Sequence, residues 1–263
     1  MLFRKSSFLP FVFLFFLPES MCSQKETEKD WNAQRITWQG IIKHGTPIEI
    51  QNPYGDVRLR GTDQPQVDVI AHAQMKLSDK HTITFLSQME HGVLKLIVSY
   101  AGKEEDTIKK NGKRRLDMAV VVPHGSPLMV RTHKGSIQAK GIKNDVDFYS
   151  ERGNISSSHH GHAVIGTRQG KISASLRGVN WDKPTELYSV LGSIEVYLPR
   201  QTSLAIEATT SGKITTDYSI QIQRNPGEKE KFATMTLGEG KNRLVIKNSS
   251  GAIEILEGSW RVD

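Results

Sequence analysis

The sequence predicts an all-β chain: a β-solenoid or β-helix-like stack of coils, each about 20 residues long, after an N-terminal antiparallel β region. Three observations lead there. One short phrase recurs through residues 130–214, its spacing is nearly constant, and no stretch carries the periodicity of an amphipathic helix.

The phrase is an apolar residue, any residue, Ser or Thr, two more residues, Gly, any residue, Ile. Its copies are Val130-x-Thr132-x-x-Gly135-x-Ile137, Phe148-x-Ser150-x-x-Gly153-x-Ile155, Ile165-x-Thr167-x-x-Gly170-x-Ile172 and Leu187-x-Ser189-x-x-Gly192-x-Ile194. A fifth copy, Thr209-x-x-Gly212-x-Ile214, has Glu207 where the apolar residue should stand. Alternation with period two is the mark of a strand, and the spacer ending in Gly interrupts it as a bend would. Gly adopts a positive φ at little steric cost and so suits the tightest point of a bend. Each copy therefore reads as strand, bend, strand, with the Ile inward. Ala139, Ser157, Ala174, Val196 and Thr216 take the next inward place. Successive motif glycines lie 18, 17, 22 and 20 residues apart. A fixed period of this size suggests coils that bury their apolar faces only by stacking. An antiparallel sandwich with hairpins of similar length is the alternative.

Outlying copies bracket the array. Ile50-x-Asn52-x-x-Gly55-x-Val57 precedes it and Ile246-x-Asn248-x-x-Gly251-x-Ile253 follows, both with Asn in the hydroxyl position. Asn makes the same kind of local side-chain bond at a turn. The interval from Gly212 to Gly251 is 39 residues, so an extra coil or hairpin is expected between them.

Taken in order, the chain starts with a targeting segment. Arg4 and Lys5 precede an apolar run over residues 8–17, and Pro18, Glu19 and Ser20 end it. This reads as a signal peptide over residues 1–23, too short for a membrane-spanning helix. The only cysteine, Cys22, follows Glu19-Ser20-Met21 and not the small residues of a lipoprotein signal, so cleavage near Cys22 or Ser23 is preferred over lipid anchoring there. Without Cys22 the chain has no disulfide to rely on. Residues 24–30 read as a charged lead-in, residues 31–127 as the N-terminal antiparallel β region, and residues 128–263 as the repeat region with a C-terminal cap.

Strands are expected over residues 36–42, 47–51, 56–60 and 67–74. Residues 82–88 and 93–100 form a hairpin around Met89-Glu90-His91-Gly92. The polar stretch around Lys109-Lys110-Asn111-Gly112-Lys113 reads as a hairpin tip, with a basic finger as the alternative. A strand over residues 116–122 then leads into the array. Trp260 is placed as a cover for the last coil.

By Val120-Val121-Val122-Pro123, Leu128-Met129-Val130-Arg131-Thr132 and Gly135-Ser136-Ile137, the chain resembles the bacterial putative-adhesin family of β-strand-repeat domains, a family of unknown function. Tyr188-Ser189-x-x-Gly192-Ser193-Ile194 followed by Tyr197-Leu198-Pro199 resembles another of its features. The resemblance covers residues 45–256. It implies a β-solenoid-like surface or envelope domain and brings no catalytic or binding residues. Glu207 and the long last interval depart from the family's pattern.

Net charge is +7, or +6 once Arg4, Lys5 and Glu19 are removed. A basic exported chain meets acidic surfaces, so an anionic glycan or another envelope or host surface component is the expected partner. The aromatic-plus-basic stripe of a nucleic-acid binder is missing, as is any cofactor motif. His159, His160 and His162 form the only cluster a metal could use, and strand neighbours point to opposite faces. Asp145 and Asp147, near Glu151 and Arg152, are the only acids an enzyme on acidic polysaccharide could use, and the next coils add none in register. Ser150, Thr167 and Ser189 stand at repeat positions and are expected to bond to the bends or to one another. The expectation is an exported, non-enzymatic protein for adhesin-like binding or scaffolding at the bacterial cell envelope, whether periplasmic, surface-bound or extracellular. A carbohydrate-active β-helix enzyme and an envelope-stress or signalling accessory are the alternatives.

Overall fold

The alternation in the sequence becomes strands whose inward side chains are apolar almost throughout. The computed structural model describes residues 31–77, 82–100 and 114–259, which contain strands, turns and irregular chain. No helix among them is long and apolar enough to cross a membrane. The signal segment with Cys22, the lead-in, the Asn111-Gly112 tip and Trp260 lie outside the described residues.

The N-terminal strands are β1 (Trp31–Ile41), β2 (Ile48–Gln51), β3 (Val57–Thr62), β4 (Gln66–Lys76), β5 (Ile83–Glu90), β6 (Val93–Tyr100) and β7 (Arg114–Pro123). The central repeat supplies β8 (Leu128–Lys134), β9 (Ile137–Ile142), β10 (Val146–Arg152), β11 (Ile155–His159), β12 (Ala163–Gln169), β13 (Ile172–Leu176), β14 (Thr185–Leu191) and β15 (Ile194–Leu198). The chain ends in β16 (Leu204–Thr210), β17 (Ile214–Thr216), β18 (Gln221–Gln223), β19 (Lys231–Leu237), β20 (Asn242–Asn248) and β21 (Ile253–Glu257).

These strands form two large mixed sheets. The first runs β1-β4-β7-β3-β9-β11-β13-β15-β21-β17, and the second β18-β19-β16-β20-β14-β12-β10-β8-β2-β6-β5. Each repeat copy gives its strand before the Gly to the second sheet and its strand after the Gly to the first. Neighbouring copies pair in parallel and in register. Ile137, Ile155, Ile172, Ile194 and Ile253 therefore stand side by side, each buried. Val130, Phe148, Ile165, Leu187 and Ile246 do the same on the facing sheet. Burying these ladders between the sheets is the main favourable term holding them together.

The motif glycine has a different reason from the expected one. Gly55, Gly170 and Gly192 do have positive φ, at 129°, 157° and 133°, but Gly135, Gly153, Gly212 and Gly251 do not. What all share is contact with the next bend. A Cβ on Gly153 would lie 2.0 Å from the Gly135 carbonyl oxygen, and one on Gly251 1.8 Å from that of Gly192. Only hydrogen fits between the stacked bends.

The hydroxyl position completes the same seam. Ser150 Oγ donates to the Gly135 carbonyl at 2.9 Å and Thr167 Oγ1 to that of Gly153 at 3.1 Å. Asn248 Nδ2 donates to the Gly192 carbonyl at 2.8 Å, as an Asn replacing a hydroxyl should. The Ser189 and Thr132 hydroxyls are buried without a partner among the described residues, so this seam is not continuous. The fifth copy is displaced by one residue from its expected register. Ala208 and Thr210 pair with Ile246 and Asn248, Glu207 faces outward, and the bend to Gly212 is one residue shorter. Thr210 Oγ1 donates to the Gly251 carbonyl at 2.8 Å, so Thr210, not Thr209, fills the hydroxyl place.

Chain order and stacking order differ at both ends. Through the pairs of strands, the stack reads β6–β7, β2–β3, β8–β9, β10–β11, β12–β13, β14–β15, β20–β21, β16–β17. The Gly251 bend sits directly on Gly192, and Gly212 rests on Gly251 from the far side. The hairpin β18–β19, whose β19 pairs antiparallel with β16, fills the long interval before β20. At the other end, residues 31–127 are mixed where an antiparallel region was expected. β1, β4 and β7 pair antiparallel, as do β5 and β6, but β2 and β3 pair in parallel with both their neighbours. The cause is that Ile50-x-Asn52-x-x-Gly55-x-Val57 is a true repeat copy, and Asn52 Nδ2 donates to the Leu116 carbonyl of the unit beneath it at 2.8 Å.

Candidate functional site

The outer face of the second sheet carries the side chains that the repeat leaves free, those between the apolar and hydroxyl positions. In-register pairing sets Arg131, Tyr149, Gly166, Tyr188 and Lys247 side by side on β8, β10, β12, β14 and β20. The Tyr188 ring lies over Gly166, where an added Cβ would sit 2.0 Å from a ring carbon. It stacks toward Tyr149, with centroids 6.3 Å apart and planes 27° apart. Gly166 thus opens the space that lets two tyrosines from alternate strands make one half-buried aromatic platform.

Charged groups frame that platform in matched pairs. Tyr149 donates its hydroxyl to Glu151 Oε2 at 2.7 Å, and Arg168 Nη1 donates to the other oxygen at 2.7 Å. Burial and the Glu151 hydrogen bond push the Tyr149 hydroxyl up to about 12, while Arg168 and Tyr149 hold the Glu151 carboxyl below its ordinary range. Arg131 pairs with Asp147, and Arg243 with Glu207 at 2.8 Å. Beside Tyr188 opens a shallow groove of about 390 Å³, lined by Tyr188, Val190, Thr209, Glu230, Lys247 and Ser249. This arrangement offers flat ring faces and hydrogen-bonding groups, with three arginines matched by carboxylates and the Lys247 cation beside the groove.

The residues singled out from the sequence scatter. Asp147 is held by Arg131, and Asp145 Oδ1 accepts the His162 backbone N–H at 2.9 Å. Arg152 is exposed between Lys134 and Gln169. His159 points inward and is fully buried, with Nδ1 3.2 Å from Ser157 Oγ, and burial drives its pKa down to about 3. His162 Nε2 instead lies 2.9 Å from the Pro184 carbonyl, and His160 Nδ1 3.4 Å from that of Ile142. Among the described residues no three potential ligands of the His, Cys, Asp and Glu types converge as a metal site would need. Ser150 and Thr167 serve the bend seam.

The tyrosine pair was missed in the sequence, yet a signal existed. Phe148-Tyr149-Ser150 and Leu187-Tyr188-Ser189 put aromatics at the same outward position of alternate copies, with Gly166 at that position between them.

No family model and no curated protein matches the chain. Among solved structures it is similar to a putative cell adhesion protein from Clostridium sporogenes, at 14% identity over 86% of this chain and 100% of that one, with a TM-score of 0.49. It is also similar to putative adhesins from Bacteroides fragilis (11% identity, 84% and 97% covered, TM-score 0.26) and Parabacteroides distasonis (8%, 86% and 97%, TM-score 0.27). The adhesin description of these proteins is the one carried by the family that the repeat resembles.

Proposed function

We propose that the chain is an exported, non-enzymatic β-solenoid that binds an extended glycan across the outer face of its second sheet, at the bacterial envelope. The observation that carries this reading is the Tyr149–Gly166–Tyr188 platform beside the groove at Lys247. Tyrosine gives a large, rigid contact area at low entropic cost, and its ring face suits the apolar face of a sugar ring. The export part rests on Arg4, Lys5 and the apolar run behind them. The solenoid part rests on one strand per copy in each sheet, stacked in parallel register. Because Arg131, Arg168 and Arg243 are each matched by a carboxylate on this face, stacking and hydrogen bonds drive binding here more than net charge does.

The test is binding of the purified protein to a panel of neutral and anionic glycans at low and physiological salt. Retention of one glycan class at physiological salt is expected, weakened about tenfold or more by Tyr188→Ala and by Tyr149→Ala. Binding seen only at low salt, or untouched by both substitutions, overturns the assignment of this face.

A further inference from the structure

The opposite face of the molecule carries an independent pattern. On the outer side of the first sheet, the parallel strands β3, β9, β11, β13, β15 and β21 each present two side chains, the first of them in register across all six strands, the second interrupted by a register shift between β9 and β11. In stack order these are Arg58 and Arg60, Gln138 and Lys140, Ser156 and Ser158, Ser173 and Ser175, Glu195 and Tyr197, Glu254 and Leu256. The run is basic at one end, small and neutral in the middle, and acidic at the other. Arg58, Arg60 and Lys140 have no ion pair to another described residue. Glu195 and Glu254 stand side by side, with Lys171 at the adjoining bend reaching Glu195 at 2.5 Å and Tyr197 donating to it at 2.6 Å.

We infer that this face is a self-association surface, on which two copies pack face to face about a two-fold axis running along the strands between β11 and β13. That axis sets β3 against the partner copy's β21, β9 against β15 and β11 against β13, while keeping the continuous first row of side chains aligned. Arg58 then meets Glu254, Gln138 meets Glu195, Lys140 meets the Tyr197 hydroxyl, and the Arg60 stem lies along Leu256. The serines meet serines, and their small size lets the sheets approach. A two-fold along the stack would instead set each strand against its own copy, bringing Arg58 and Arg60 against the partner copy's same arginines, which repel, and leaving Glu254 with no cation opposite. Self-complementarity about one axis is what an isologous interface requires. Six strands at about 4.8 Å, with about five residues at about 3.3 Å each, span about 500 Å² per copy, or about 1,000 Å² in all. That is the lower end of specific interfaces, so the dimer is weak and salt-sensitive.

Sedimentation velocity on the purified protein over about 1–100 µM tests this, in low and high salt. A monomer that shifts to dimer as concentration rises, less so in salt, is expected. Arg58→Glu/Arg60→Glu and, separately, Glu195→Lys/Glu254→Lys should each weaken self-association about tenfold or more. Mixing the two charge-reversed variants should restore association between them, which a merely misfolded variant could not do. Tyr188→Ala, on the opposite face, should leave the dimer intact, so failure of the glycan reading and failure of this one are separable. A monomer at every concentration, self-association indifferent to both reversals, or a mixture that stays monomeric overturns the proposal.

Discussion

A methyl group added at Gly153 would collide with the Gly135 carbonyl of the bend below, which is backbone held in the stack and not a flexible side chain that could give way. Gly153→Ala should therefore cost about 2–4 kcal/mol in urea unfolding. Gly227→Ala meets nothing within 4 Å and carries only the strain of φ 85°, about 1 kcal/mol. Equal losses at the two sites would refute the stacked-bend account. His159 makes a prediction of its own. Its folded pKa, about 3, lies below the unfolded value of 6.5, so the unfolded chain binds its proton first. Its effect is absent above about pH 6.5, and stability is lost as pH falls from there toward 3, by about 3 kcal/mol at pH 4. His159→Leu should remove that part of the acid sensitivity, read as the change in urea midpoint between pH 7 and pH 4.5. A slope unchanged by the substitution would assign the acid response to other groups.

At the scale of the strand and its bend, the seam hydroxyls divide into two classes. Ser150→Ala breaks a bond to the Gly135 carbonyl and should cost about 1 kcal/mol, whereas Ser189→Ala loses no partner and should cost less. Reversal of that order in thermal or urea unfolding would contradict the seam. The strand periodicity and the inward Ile ladder were legible in the sequence, because each copy states them locally. The register of the fifth copy was not, since Glu207-x-Thr209 fits the phrase as written and only pairing with Ile246 and Asn248 shows that Ala208-x-Thr210 is the working set. The unit β6–β7 was also hidden. Leu116 stands where the motif Gly would, and no phrase marks it. Stacking order left no local trace either: a copy ending in Gly251-x-Ile253 reads the same whichever neighbour it meets. A disulfide tests that order directly. Glu186→Cys and Val245→Cys, paired across β14 and β20, should cross-link, and Glu186→Cys with Glu207→Cys, one strand farther away, should not.

At the scale of the whole molecule, the two proposals assign separate tasks to the two outer faces. If the first sheet joins two copies, both tyrosine platforms point away from each other, and two weak sites act with the avidity of a linked pair on a repeating ligand. The late strands have a further bearing on how the molecule is completed. A chain ended after residue 240 lacks β20 and β21, the only unit that both β14–β15 and β16–β17 touch in the stack. Limited proteolysis of that truncation should cut residues 204–237 readily while residues 128–198 stay protected, and equal protection of both would count against the insertion. The same wedge imposes a timetable. The strand pairs up to β15 can settle one upon another as they leave the ribosome, but β16 and β17 are made early and must wait, their intended neighbour still unsynthesised. The last strands to emerge close the gap, so a chain that stops short leaves β14–β15 and β16–β17 unjoined.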